Sequence, residues 1–96
     1  MLSNCTVHYR QGMKDYQVNN NEGQGVLQFG KNTKRTYIRI RSSLLTAQEL
    51  EEIQANYKTK LESSWTMDLE ITNPSLDLLL NLLDKSLQLT TELYRK

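Results

Sequence analysis

The residues with the clearest chemical potential lie between Lys31 and Arg41, where Lys31, Lys34, Arg35, Arg39 and Arg41 supply five basic side chains and no acid. Read as a strand, this segment points Thr36, Ile38 and Ile40 to one face and Arg35, Tyr37, Arg39 and Arg41 to the other. Guanidinium groups flanking a tyrosine on an open sheet can grip phosphates and stack a base. If all five cations met phosphates, affinity would fall with salt at a log–log slope of about −4. A competing arrangement is present in the same sequence. The segment Trp65–Thr72 alternates so that Asp68 and Glu70 face outward. If the two strands are neighbours, Arg39 and Arg41 meet Asp68 and Glu70 as cross-strand ion pairs, and the face is an ordinary neutralised one.

Catalytic chemistry finds less support. Cys5 and His8 are three apart on a strand, which sends their side chains to opposite faces, so no thiol–imidazole pair forms locally. One His and one Cys do not make a zinc site without several carboxylates. Asp68 and Glu70 share a face as in a metal-dependent nuclease strand, but Thr72 stands where a lysine would be needed. Gly23-Gln24-Gly25 lacks the lysine and helix start of a phosphate loop. His8 reads as a surface strand residue, and Tyr9, Tyr16 and Tyr57 as residues finishing the core edges. Trp65 is expected to open its strand on the inward side as a core anchor. No enzyme activity, metal or cofactor is therefore expected.

The elements that position these residues follow from periodicity. Residues 4–10 alternate as a half-buried strand, with Cys5, Val7 and Tyr9 on one side. Met13–Val18 reads as a weaker hairpin return, and residues 19–25 as a loop. Gly25–Phe29 and Arg35–Arg41 form a second hairpin across a polar turn. Thr46-Ala47-Gln48-Glu49 is a capping box, with Leu45 and Leu50 placed as a hydrophobic staple. The helix it opens carries Leu50, Ile53, Tyr57 and Leu61 along one face, with Lys58 and Lys60 in its last turns. The expected order is β-β-β-β-α-β-α in a single domain over residues 1–96. The fold is α+β, a mostly antiparallel four- or five-stranded sheet with two helices on one face. The helical crossover predicts that Arg35–Arg41 and Trp65–Thr72 are parallel neighbours.

The final helix is the most informative element. Asn73 suits the N-cap and Pro74 the first helical position. At about 100° per residue, Leu76, Leu79, Leu80, Leu83, Leu87 and Tyr94 share one stripe. Leu78, Leu82, Leu89 and Leu93 form a second, with Ser75, Ser86 and Thr90 between the two. One sheet requires an apolar stripe of roughly 100°, and this helix has nearly twice that. Leucines left in water forgo about 1.5–3 kcal/mol each. Either the other helix of the same chain covers Leu78, Leu82, Leu89 and Leu93, or these four are the contact residues of a homodimer or of another protein partner.

Size and charge set the remaining bounds. A chain of 96 residues with 38% hydrophobic content can build a small core without disulfides. The net charge of +1 gives no bulk attraction to nucleic acid or membrane. The first half of the chain is basic and the second acidic, which suits association. A single cysteine excludes an internal disulfide and fits a reducing compartment. No apolar run reaches the roughly 20 residues that span a bilayer, and no secretory leader is evident, so a cytoplasmic location is expected. Together these readings predict a non-enzymatic regulatory or accessory interaction module that self-associates. Nucleic-acid binding through Lys31, Lys34, Arg35, Tyr37, Arg39 and Arg41 is the alternative.

Overall fold

The computed structural model describes residues 5–31 and 34–94, with side chains described through Gln88. Six strands form one antiparallel sheet: β1 (Cys5–Arg10), β2 (Asp15–Asn20), β3 (Gly25–Lys31), β4 (Thr36–Ile40), β5 (Lys58–Leu61) and β6 (Leu69–Thr72). Helix α1 (Ala47–Asn56) follows β4, and α2 (Leu76–Tyr94) follows β6. The spatial order is β1-β2-β3-β4-β6-β5. The α+β architecture is the one the sequence predicts, with one strand more than its upper count.

The additional strand is β5. Lys58–Leu61 does not continue the first helix, which ends at Asn56, after which Tyr57 is extended at φ −135° and ψ 153°. Lys58, Thr59, Lys60 and Leu61 instead pair with Thr72, Ile71, Glu70 and Leu69. That hairpin reverses the chain once more, so β6 runs antiparallel to β4 rather than parallel, with Arg39 opposite Glu70 and Ile38 opposite Ile71. The two strands are neighbours as expected, in the opposite sense. The physical reason is that a four-residue β-hairpin arm satisfies its backbone groups on β6, and this outweighs the helix propensity of lysine and leucine.

The cross-strand register sorts the side chains by face. On one face run Tyr9, Tyr16, Phe29, Ile38 and Ile71 in a single row. Val18, Leu27, Ile40 and Leu69 lie on the same face and form the core with Ile53, Leu82 and Leu83. The opposite face carries His8, Gln17, Gln28, Arg39, Glu70 and Lys60 in one row.

Both helices lie on the apolar face. The capping box of α1 is formed: the Glu49 N–H donates to Thr46 Oγ1 at 3.1 Å, and the Thr46 N–H donates to Glu49 Oε1 at 2.8 Å. Helix α2 is capped by Ser75, not Asn73, its hydroxyl accepting the Leu78 N–H at 3.1 Å. Asn73 instead adopts φ 51° and ends the β4–β6 ladder, its carboxamide accepting the Thr36 N–H at 2.9 Å. The Glu49 carboxylate, already tied to Thr46, also pairs with Lys85 and so joins α1 to α2.

The orientation of α2 corrects the two-stripe reading. Ser86 is only 1% exposed, and its hydroxyl has no hydrogen-bond partner among the described residues. The helix therefore rests on the sheet along the small-residue line between the stripes. Leu79 and Leu83 from one stripe and Leu78 and Leu82 from the other flank that line and join the same core. Leu82 is 3% exposed, so it is interior to the single chain and not a surface residue. Leu78 is half-buried beside Leu45, Glu49 and Ile53 of the α1 region. The side chains of Leu89 and Leu93 lie outside the described residues.

A buried hydroxyl without a partner costs about 1–3 kcal/mol, and an over-large side chain in a packed core costs about as much. Ser86→Ala is accordingly expected to leave stability unchanged or raise it by about 1 kcal/mol, and Ser86→Leu to lower it by about 1–3 kcal/mol. Urea unfolding midpoints measure both, and a tolerated leucine would contradict this seating of α2.

Candidate functional site

Helix α2 packs on the sheet beside α1, and among the described residues this leaves one side of it uncovered. On the flank facing β1 and β2, Leu76 is 67% exposed and Leu80 51%. The sheet beside that flank carries Tyr9, 52% exposed, Tyr16, 43% exposed, and Val7, also exposed. Tyr9 and Tyr16 meet edge to face at 5.1 Å between centroids, and Tyr16 stacks on Phe29 at 5.2 Å with 12° between planes. Tyr16, Phe29, Ile38, Pro74, Leu76 and Leu79 line a groove of about 330 Å³ in the corner between floor and wall. The result is an apolar step, with an aromatic floor one helix-thickness below a leucine wall. The polar arc of α2 (Asp77, Asn81, Asp84, Gln88) points away from it into solvent.

The opposite face is organised by two buried carboxylates. Arg10 donates two hydrogen bonds to Asp15, from Nε and Nη2, both at 2.7 Å. This bidentate bond and the carboxylate's charge together outweigh partial burial and hold the Arg10 guanidinium more firmly protonated than usual. Glu70 accepts from Arg39 Nε and from Arg35 Nη1, each at 3.1 Å. Arg39 also approaches Asp15 at 3.6 Å, linking the two centres. Both guanidinium groups lie over the Tyr37 ring, at 5.3 Å for Arg35 and 4.7 Å for Arg39. Tyr37 in turn lies flat on the sheet because its cross-strand neighbour is Gly30. A Cβ at Gly30 would sit 2.5 Å from the Tyr37 hydroxyl oxygen.

The segment between β5 and β6 folds over this polar face. Met67 is buried above Gly25, where a Cβ would come within 3.2 Å of its methyl. Trp65 is thus not the inward anchor of a strand. It stands in the loop, with Arg39 at 4.9 Å and Lys60 at 5.2 Å from its ring. Asp68 anchors the far end of the loop, accepting the Ser42 N–H at 2.8 Å and the Ser42 hydroxyl at 2.7 Å.

The basic set read from the sequence is therefore divided. Arg35, Tyr37 and Arg39 come together on the polar face. Lys31 lines the apolar groove on the other side of the sheet, Lys34 sits exposed in the turn, and Arg41 lies by Asp68. The expected pairing of arginine with Glu70 is present through Arg39 and Arg35, whereas the hydrogen bonds to Asp68 come from Ser42. Cys5 and His8 occupy opposite faces, Cys5 against the core. The sequence reading missed Asp15, Lys58, Lys60 and Trp65 on the polar face. An acid directly opposite Arg10 across a four-residue turn was the available signal for Asp15.

Among the described residues, no three His, Cys, Asp or Glu side chains converge where a metal could bind, and no helix is long and apolar enough to cross a membrane. No family model matches the chain, and no curated protein or solved structure matches it.

Two outcomes follow for the carboxylates. Burial disfavours the Asp68 charge, but the two bonds from Ser42 and the charge of Arg41 outweigh it and hold its carboxyl below the usual 3.8. A depressed folded-state pKa contributes stability above the unfolded value and loses it as pH falls through the folded one. Asp68→Asn should therefore lower the urea midpoint at neutral pH, and the gap from wild type should narrow as pH drops below that range. A gap that widens in acid would contradict the assignment. Glu70→Gln removes the charge between two guanidinium groups and should cost about 1–3 kcal/mol at neutral pH. The same unfolding titration reads it, and an unchanged midpoint would exclude Glu70 as the organiser of this face.

Proposed function

We propose that this chain is a non-enzymatic interaction module that forms a homodimer through its apolar step. The observation that carries this reading is the exposed Tyr9–Tyr16 pair, stacked on the half-buried Phe29, beside the exposed Leu76 and Leu80. Contiguous exposed apolar surface of this kind marks an interaction site, and aromatic residues are enriched at such sites.

A second copy suits the shape. A helix is about 10 Å thick, and stacked sheets lie about 10 Å apart. When a partner's β1–β2 floor is laid on this one about a twofold axis, it comes level with α2. Each floor then fills the other's step, and each leucine wall meets the partner's β1 edge. Such an isologous contact is self-complementary. It also leaves the polar arc of α2 hydrated. The contact residues in this arrangement are Tyr9, Tyr16, Phe29, Leu76 and Leu80, in place of Leu78 and Leu82. The footprint, about 20 Å along six-residue strands and 15 Å across three of them, is small for a specific interface. The dimer is therefore expected to depend on concentration.

Light scattering over a concentration series tests the proposal. The wild type should rise towards twice the chain mass. Tyr9→Lys with Leu80→Glu should remain at one chain mass while keeping the wild-type circular dichroism. A wild type that stays monomeric at every concentration, or a double variant that still dimerises, would refute it.

A further inference from the structure

We propose that the polar face of the sheet binds single-stranded nucleic acid along two clefts beside the Trp65 loop. This goes beyond the dimer reading and uses the opposite face of the sheet. Five cations (Arg10, Arg35, Arg39, Lys58 and Lys60) are set there against Asp15 and Glu70 within the sheet and Glu62 beside Lys60. The balance differs from the neutral ladder inferred from sequence, because β5 adds Lys58 and Lys60 while Asp68 turns to Ser42.

The depth of the charges matters as much as their number. The Asp15 side chain is 0% exposed and that of Glu70 8%, so both acids lie under the arginines that they hold. Each acid pins its guanidinium by particular edges: Arg39 commits Nε to Glu70 and turns Nη1 toward Asp15. The surface above these two acids is consequently made of cation, amide and aromatic groups. Pre-organised arginines of this kind lose little entropy on meeting a phosphate. Lys58 and Lys60 are exposed at the sheet edge, and Lys58 has no ion-pair partner among the described residues.

One cleft opens at Trp65, and a second lies at the sheet edge, where its Lys60 stands 5.2 Å from the indole. The first, of about 250 Å³, is lined by Arg10, Gln28, Arg39 and Trp65. The second, of about 280 Å³, is lined by Arg35, Lys58, Lys60, Glu70 and Thr72. The loop carrying Trp65 walls the first, through Trp65, Thr66 and Met67. A rigid duplex would ride on that loop, whereas a single strand can follow the floor and place a base against the indole. Aromatic contact and cationic tracking together are what sequence-tolerant single-strand binding requires. The Gln17 and Gln28 amides, bonded to each other at 3.2 Å, extend the floor with further hydrogen-bonding groups. Lysines on an edge strand also discourage edge-to-edge pairing, but that role alone would leave a nucleic acid indifferent to them.

Trp65 is the only tryptophan in the chain, so its fluorescence reports on this site alone. The intact protein would be titrated with oligothymidylate of about 15 nucleotides at about 50 mM salt, with a duplex of equal length and tripolyphosphate as the other arms. Anisotropy of the labelled oligonucleotide supplies a second readout. Oligothymidylate is expected to bind and quench saturably, weakening with salt at a log–log slope of about −2, as for three phosphates on a single strand. Lys58→Glu with Lys60→Glu should weaken binding about ten-fold or more with an unchanged melting temperature, and the milder Lys58→Gln with Lys60→Gln should fall between. The proposal is overturned by the absence of binding in both readouts, by equal affinity in the glutamate variant, by tighter binding of the duplex, or by tripolyphosphate matching the oligonucleotide. The Tyr9→Lys, Leu80→Glu variant should bind as the wild type does, which separates this result from the fate of the dimer.

Discussion

A sheet of six strands is wider than two helices can cover, and the surface of this protein follows from that mismatch. Six strands at about 4.8 Å spacing put the outer pair about 24 Å apart, whereas packed helices lie only 8–10 Å axis to axis. Helix α1 stands beside β5, and the Glu49–Lys85 pair holds α2 against it. The shortfall therefore collects at β1 and β2. Had α2 rested on a single leucine stripe, its second stripe would have been the exposed surface. It rests instead on the line through Ser86, with leucines buried on both sides, and the uncovered apolar area belongs jointly to the sheet and to one flank of the helix.

The other face of the same sheet is stabilised differently. Its centre is closed by Arg10, Arg39 and Arg35 fastened to Asp15 and Glu70 across four strands, and by the Tyr37 ring lying in the space that Gly30 leaves. Buried ion pairs are a doubtful source of net stability, but here they fix the positions of three guanidinium groups and keep the acids beneath them. The loop from Glu62 to Met67 covers only part of this layer. Among the described residues one face is thus apolar and in part uncovered, while the other is rich in cations and bears clefts. The two proposals made for this protein assign one role to each, and neither needs the residues of the other.

Local chemistry was legible in the sequence wherever a few adjacent residues decide the outcome. Thr46 and Glu49 announce a helix start because their reciprocal bonds involve only one turn. The alternation in residues 5–10 and 36–40 announces strands because the pleat has period two. What failed to read were decisions taken between distant segments. Lys58–Leu61 has no helix breaker before it, and only pairing with β6 makes it a strand. Asn73 looks like an N-cap, yet its left-handed backbone is fixed by a bond to Thr36, and Ser75 takes the cap. Trp65 continues the alternation of β6 on paper, but the hairpin loop lifts it onto the polar face. The candidate contact surface shifted for the same reason: the leucine stripes were counted correctly, but the helix's rotation depends on what lies beneath Ser86.

In the dimer proposed above, a second copy shelters the uncovered strands. Hydroxyl-radical footprinting of the intact chain, followed by peptide mass spectrometry across a concentration series, tests it residue by residue. Protection that grows with concentration at Tyr9, Tyr16, Phe29, Leu76 and Leu80, while Trp65 and Met13 react at a constant rate, is the result expected. Equal reactivity of those five side chains from the most dilute sample to the most concentrated would contradict it.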